Sequence, residues 1–158
     1  MMYTVRRAED RDIPKITDLL VQVDMVHHNG RPDIFRGPVT KYNESELKEI
    51  FRDDARPVFV CTGEDGGVLG HAFCQLKEIK GHKLLEDCRT LYVDDICVDE
   101  AARGKGVGRA LYEHVRVYAA EKKCDSITLN VWSCNPTAIR FYESMGMKPQ
   151  RIGMEELL

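Results

Sequence analysis

Within seven residues, Arg103-Gly104-Lys105-Gly106-Val107-Gly108-Arg109, the chain sets three cations among three glycines. The chemistry such a stretch does well is holding phosphate. Glycines let backbone N–H groups approach a ligand and converge on it, and the free amides and dipole at a helix start favour negative charge. The flanks supply that helix start. Leu91-Tyr92-Val93-Asp94-Asp95-Ile96-Cys97-Val98 is β-branched and aromatic, hence strand-like, whereas Arg109-Ala110-Leu111-Tyr112-Glu113-His114-Val115 has helical spacing. A tight turn with solvated basic residues is the bland alternative. Alternate glycines opening a helix, in a chain of net charge −3, argue against it.

Three glycine patterns compete for the loop. A P-loop needs Gly-x-x-x-x-Gly-Lys-Ser/Thr, and the sequence has none. A dinucleotide fingerprint needs Gly-x-Gly-x-x-Gly, and its third glycine position here is Arg109; Asp125, where a ribose-binding acid is expected about 20 residues on, is a decoy. The pattern Arg/Gln-x-x-Gly-x-Gly/Ala is met in full by Arg103, Gly106 and Gly108. A second segment points the same way. Ser126-Ile127-Thr128-Leu129-Asn130-Val131-Trp132 alternates like a half-buried strand, Asn135 suits an N-cap, Pro136 suits a first helical position, and the helix through Phe141 and Tyr142 stops at Gly146.

The Arg103 to Gly108 loop and the Asn-Pro-x-Ala-x-x-Phe-Tyr-x-x-x-Gly series, in this order, closely resemble the two signatures of the GNAT superfamily of N-acetyltransferases, best over residues 58–148. The resemblance implies a single mixed, mostly antiparallel α/β sheet flanked by helices, with a splayed central strand pair into which acetyl-coenzyme A inserts its pantetheine arm. It implies that Ile96, Cys97, Val98, Arg103, Gly104, Lys105, Gly106, Val107, Gly108, Arg109 and Asn135 meet the coenzyme, the backbone amides around 96–98 polarising the thioester. It places Tyr142 beside the coenzyme sulfur as proton donor. Similar proteins often carry Glu-Asp where this chain has Asp94-Asp95, which makes Asp94, through a water because aspartate is shorter, the expected base. His27, His28, Arg31, Asp33 and Phe35 fall where family members line the acceptor pocket, with Asp95 a further substrate-side candidate.

The residues themselves support some of these roles. A phenol with pKa about 10 is protonated at neutral pH and can protonate a leaving thiolate. Adjacent strand residues face opposite ways, so one of Asp94 and Asp95 is expected to look into a given side of the sheet and the other to brace backbone. Of the adjacent pair Phe141 and Tyr142, Phe141 is the natural packing residue. His71 and His82 read as structural or solvated, and Trp132 as pocket wall, core or interface.

The elements that must position these groups follow from periodicity. A short strand at Tyr3-Thr4-Val5-Arg6 leads to a helix capped at Asp10 or Asp12 and carrying Ile13, Ile16, Leu19, Leu20 and Val23. Residues 27–39 read as loop and 44–52 as a short helix. Strands at 58–61 and 68–73 flank the turn Asp65-Gly66-Gly67, 77–87 is a polar stretch, a long helix spans 107–122, and 151–158 is read as a last strand. One domain over residues 1–158 fits the length. With 43% hydrophobic and 31% charged residues and no long apolar run, the chain reads as cytoplasmic, without membrane or nucleic-acid partners; a homodimer is left open. Six cysteines without a Cys-x-x-Cys pair read as reduced thiols, and no metal is expected.

The expected activity is acetyl transfer from acetyl-coenzyme A directly to an amine, most readily a small molecule such as a polyamine or an amino-acid-like amine. A protein N-terminal or lysine acetyltransferase is one alternative, and a non-catalytic coenzyme-A-binding sensor or interaction module the other.

Overall fold

In the computed structural model, which describes residues 2–158, strand β2 (Val58–Thr62) is buried along its whole length. That is why Val-Phe-Val-Cys-Thr shows no polar alternation: helices cover both faces of the sheet there, so neither side faces water. On one face, Phe59 and Cys61 meet α3 (Val107–Glu121) through Val107, Leu111, Val115 and Ala119. On the other, Val58 and Val60 meet α1 (Ile13–Gly30) and α2 (Glu44–Phe51) through Ile13, Ile16, Leu20, Leu47 and Ile50.

The sheet has five strands in the order β1-β2-β3-β4-β5. β1 (Thr4–Arg7), β2, β3 (Val68–Ile79) and β4 (Cys88–Val98) each run antiparallel to their neighbours in that series, while β5 (Ser126–Leu129) runs parallel to β4. β5 is followed by α4 (Pro136–Ser144). Short 3-10 turns at Asp10–Asp12 and Glu100–Ala102 lead into α1 and into the glycine loop. The glycine turn at 65–67 joins β2 to β3 as the sequence indicates, with Gly63 N bonding Gly67 O at 3.0 Å.

Local chemistry fixes the helix ends. Asn43 caps α2, its Oδ1 accepting from Glu46 N at 2.8 Å while the Glu46 carboxylate accepts from Asn43 N. Asn135 caps α4 by accepting from Ala138 N, with Pro136 in the first turn. At the start of α1, Asp12 lies buried and accepts two bonds from the Arg6 guanidinium, at 2.7 and 2.9 Å. Burial alone would raise the Asp12 carboxyl; the Arg6 bonds and Glu9 N outweigh it and hold it below the usual carboxylate range.

Four sequence expectations need correction. β3 runs on to Ile79, past its expected end and into the polar stretch, and β4 begins at Cys88; residues 80–87 join them outside the ladder, and the outer half of the hairpin is largely solvated, so it lacks the apolar alternation that marks a strand. α1 continues through His27 and His28, which occupy its last turn rather than a loop. β5 ends at Leu129, leaving Asn130, Val131 and Trp132 outside the ladder. Residues 151–158 add no strand; Ile152, Met154, Leu157 and Leu158 stay exposed, and Glu155 pairs with Arg31 instead of entering the sheet. With no strand beyond β5, the splayed pair stands at one end of the sheet rather than at its centre.

Candidate active site

β4 and β5 part company where the site begins. Residues 90–93 pair with 126–129, β5 then stops, and β4 runs on through residues 94–98 with no partner on that side. A β-bulge sits at the same point. Phe73 pairs with Asp95 and Cys74 with Val93, so Asp94 is an extra residue in the β4 side of the ladder. Bulges bend a strand and re-aim its side chains. Here the bend opens the gap between β4 and β5.

The bulge also removes the constraint that Asp94 and Asp95 must face opposite ways. Asp95 lies across from Phe73, and its Oδ2 is 2.7 Å from His71 Nε2. His71 is fully buried, edge-on to Phe73, and its Nδ1 has no partner among the described residues. Asp94 Oδ2 instead accepts from Lys41 Nζ at 2.7 Å, in the connection between α1 and α2. Both carboxylates therefore engage groups on the α1–α2 side. Burial alone would pull the Lys41 ammonium down in pKa, but the bond to Asp94 raises it above its ordinary value.

The glycine loop closes one end of the gap. Gly104 and Gly106 have φ of +73° and +89°, in the left-handed region, and an added Cβ at Gly104 would meet nothing within 4 Å. Gly106 is the N-cap of α3 and offers no side chain. The first intrahelical bond runs from Ala110 N to Gly106 O, which leaves the N–H groups of Val107, Gly108 and Arg109 for a ligand. Tyr3 donates to Lys105 O at 2.7 Å and pins the loop to β1. Arg103, Lys105 and Arg109 are exposed around it, although Lys105 Nζ bonds Ala101 O at 3.0 Å. Gly108 is needed for packing: a Cβ there would come within 3.3 Å of the Phe141 ring. Free amides, open glycines and three cations fit a pyrophosphate.

Tyr142 lies on α4, the helix that follows β5. Phe141, on the same helix, packs edge-on against Tyr112. Burial, followed by the charge of Asp95, pushes the Tyr142 phenol far above its ordinary pKa. Such a phenol stays protonated, which suits an acid and excludes a resting phenolate. The buried cysteines are poor nucleophiles by the same physics. Burial pushes Cys97 up to about 12, with Asp95 adding to it, and Cys74 up to about 12, with Asp94 adding to it. Cys97 turns its thiol toward α1, where Sγ donates to Leu19 O, so only its backbone is available to the gap.

A sequence-family model described as the acetyltransferase (GNAT) family matches residues 25–147. The chain belongs to the GNAT acetyltransferase family. Streptothricin acetyltransferase of Streptomyces lavendulae is 33% identical over 88 residues, which are 56% of this chain and 42% of that protein. Thialysine N-epsilon-acetyltransferase of Sus scrofa is 32% identical over 60 residues, 38% of this chain and 35% of that protein. The chain thus spans about half the length of the curated relatives it matches, or less. A solved structure of a mutant BH1408 protein from Bacillus halodurans superposes with a TM-score of 0.94 at 30% identity, covering 98% of this chain and 99% of that one.

On the side where GNAT acceptor residues were expected, the structure brings an aromatic group together. The His27 ring stacks on Phe35 at 4.9 Å, and Phe35 meets Trp132 edge-on at 5.0 Å. His28 Nδ1 is 2.7 Å from Phe35 O, and Arg31 pairs with Asp33 and with Glu155 of the C-terminal segment. His82 is structural, its Nδ1 accepting from Leu84 N and Leu85 N. Sequence reasoning missed Lys41, Glu155 and the engagement of His71 by Asp95. An acid beside the strand was visible, but nothing in the spacing linked it to a lysine 53 residues earlier. No group of three or more potential metal ligands occurs among the described residues, and no helix is long and apolar enough to cross a membrane.

Proposed function

We propose that this protein is an acetyl-coenzyme-A-dependent N-acetyltransferase that passes the acetyl group directly to a small-molecule amine, polyamine-like or amino-acid-like. The observation that carries the reading is the gap itself: β4 leaves β5 at the Asp94 bulge, ahead of an amide-rich, cationic loop. The coenzyme supplies an activated acyl group as a thioester. The loop amides of 107–109 with Arg103, Lys105 and Arg109 hold the pyrophosphate, and the backbone of Ile96, Cys97 and Val98, laddered to β3 but without a strand on the β5 side, lines the pantetheine path and polarises the thioester carbonyl. Asn135, its Oδ1 engaged by Ala138 N, retains its amide for the coenzyme. Asp94 takes up the proton of the acceptor ammonium, directly or through water, and Tyr142 returns one to the departing thiolate.

Direct transfer is favoured over an acyl-enzyme because the cysteine thiols nearest the gap are held neutral by burial. A small amine is favoured by the names of the two relatives above and by the enclosing cluster His27, His28, Arg31, Phe35 and Trp132. Acetyl-coenzyme A is expected to raise Tm by linkage, dephospho-coenzyme A to do so less, and NAD and ATP little. A panel of amines scored by free coenzyme A thiol then identifies the acceptor. Stabilisation by NAD but not by acetyl-coenzyme A would sink the proposal.

A further inference from the structure

The acceptor side of the gap already holds a primary ammonium. Lys41 Nζ rests 2.7 Å from Asp94 Oδ2, with the lysine side chain 55% exposed and the aspartate side chain 17% exposed. The placement is built in. Tyr42, the next residue, stacks on Phe73 at 5.8 Å, and Phe73 pairs across the ladder with Asp95. The connection between α1 and α2 is thereby anchored at the bulge, and the chain delivers Lys41 to Asp94. Other lysines are spent differently. Lys48 pairs with Glu44 on its own helix, Lys77 lies over the Tyr92 ring, and Lys80 pairs with Glu78 at the open end of the hairpin. Lys15 pairs with Asp99, beyond the end of β4. Among these, Lys41 is the one whose carboxylate lies within the stretch of β4 that has left β5.

We infer that Lys41 is an internal acceptor: with acetyl-coenzyme A bound and no amine present, the protein acetylates its own Lys41 Nζ. The inference rests on the proposed role of Asp94 as the base. The step balances without a further reactant. The Lys41 ammonium gives one proton to Asp94, and the freed amine attacks the thioester carbonyl. The C–N bond forms, the C–S bond breaks, and the thiolate leaves and is protonated. One lysine ammonium and one acetyl-coenzyme A become one acetyl-lysine, one coenzyme A thiol and one released proton. An acceptor amine competes for the same carboxylate and so slows the modification. Acetylation in turn abolishes the ion pair and leaves Asp94 free.

The test incubates the full chain with acetyl-coenzyme A alone and follows intact mass and peptide mapping. One acetyl group per chain is expected, on the peptide carrying Lys41, at a rate per chain that does not depend on protein concentration. Lys80, 77% exposed, reports uncatalysed chemical acetylation. Asp94→Asn, confirmed folded by its Tm, is expected to slow Lys41 labelling on the order of a hundredfold while leaving Lys80 unchanged. Lys41→Arg keeps a cation on Asp94 and removes the label. Labelling of Lys41 no faster than Lys80, or unaffected by Asp94→Asn, overturns the inference. Turnover of an added amine separates the failures: turnover without Lys41 labelling overturns this inference alone, whereas neither turnover nor labelling overturns the proposed function as well.

Discussion

His71 and Asp95 form a closed pair beside the gap, imidazole Nε2 to carboxylate Oδ2 at 2.7 Å, with the histidine wholly buried on β3. The pair joins two strands next to the bulge, where the ladder is weakest. It commits Asp95 to the fold and leaves Asp94 to meet an ammonium. His71→Ala removes a buried ring and strands a carboxylate, so it is expected to cost about 3 kcal/mol. Urea denaturation measures this. A loss below about 1 kcal/mol would mean that Asp95 is held by water instead.

Tyr142→Phe deletes one hydroxyl from a largely buried ring. Stability and the coenzyme-induced rise in Tm are expected to persist, while kcat falls on the order of a hundredfold. An unchanged kcat would assign protonation of the thiolate to water.

The pH dependence of Asp94→Asn reports the base. An alkyl ammonium has a pKa near 10, so at neutral pH very little of it is nucleophilic without a proton acceptor. The variant is expected to lose most rate near neutrality and recover part of it in alkali. An α-amino acceptor, with pKa nearer 8, reaches its plateau earlier than a polyamine. Equal loss at every pH would remove Asp94 as the base.

Gly106→Ala forces a side chain into φ +89° at the N-cap of α3. The strain is about 1–2 kcal/mol. Relief by rotation of the loop turns the helix amides away from the pyrophosphate. A smaller acetyl-coenzyme-A-induced rise in Tm, with the unliganded Tm only modestly lowered, is the expected signature in a thermal melt.

Acid stability tests the Arg6–Asp12 pair. The folded Asp12 carboxyl lies below its unfolded value near 4, so its contribution is complete above about pH 5 and is lost as pH falls through the folded value. Asp12→Asn is expected to flatten that part of the stability–pH curve. An identical slope in wild type and variant would assign acid sensitivity to other carboxylates.

The loop, the two flanking helices and the strand that bends were legible in the sequence because each is written locally. Glycines that need positive φ, an Asn-Pro start and an apolar stripe at 107, 111 and 115 all act within a few residues. The outer half of the β3–β4 hairpin was not legible. Its residues are held by ladder bonds and by pairs such as Arg89 with Glu78, not by burial, so no apolar period marks them. Residues 151–158, expected to form a last strand, stay exposed outside the ladder, with Glu155 drawn to Arg31. That Asp94 and Asp95 both reach toward the α1–α2 side was out of reach for a related reason: alternation assumes a regular ladder, and only the register shows that the ladder carries a bulge.

That register has a consequence for how the protein can be shortened. On either side of Asp94 the pairing of β3 with β4 is regular, Cys74 with Val93 and Phe73 with Asp95. Excising residue 94 alone would leave every other pair intact and every other side chain on its present face. By residue count, then, the hairpin is one longer than a straight ladder requires. A single-residue deletion, ordinarily ruinous inside a strand because it inverts all that follows, is here expected to be tolerated by the fold. What it removes is the bend that parts β4 from β5.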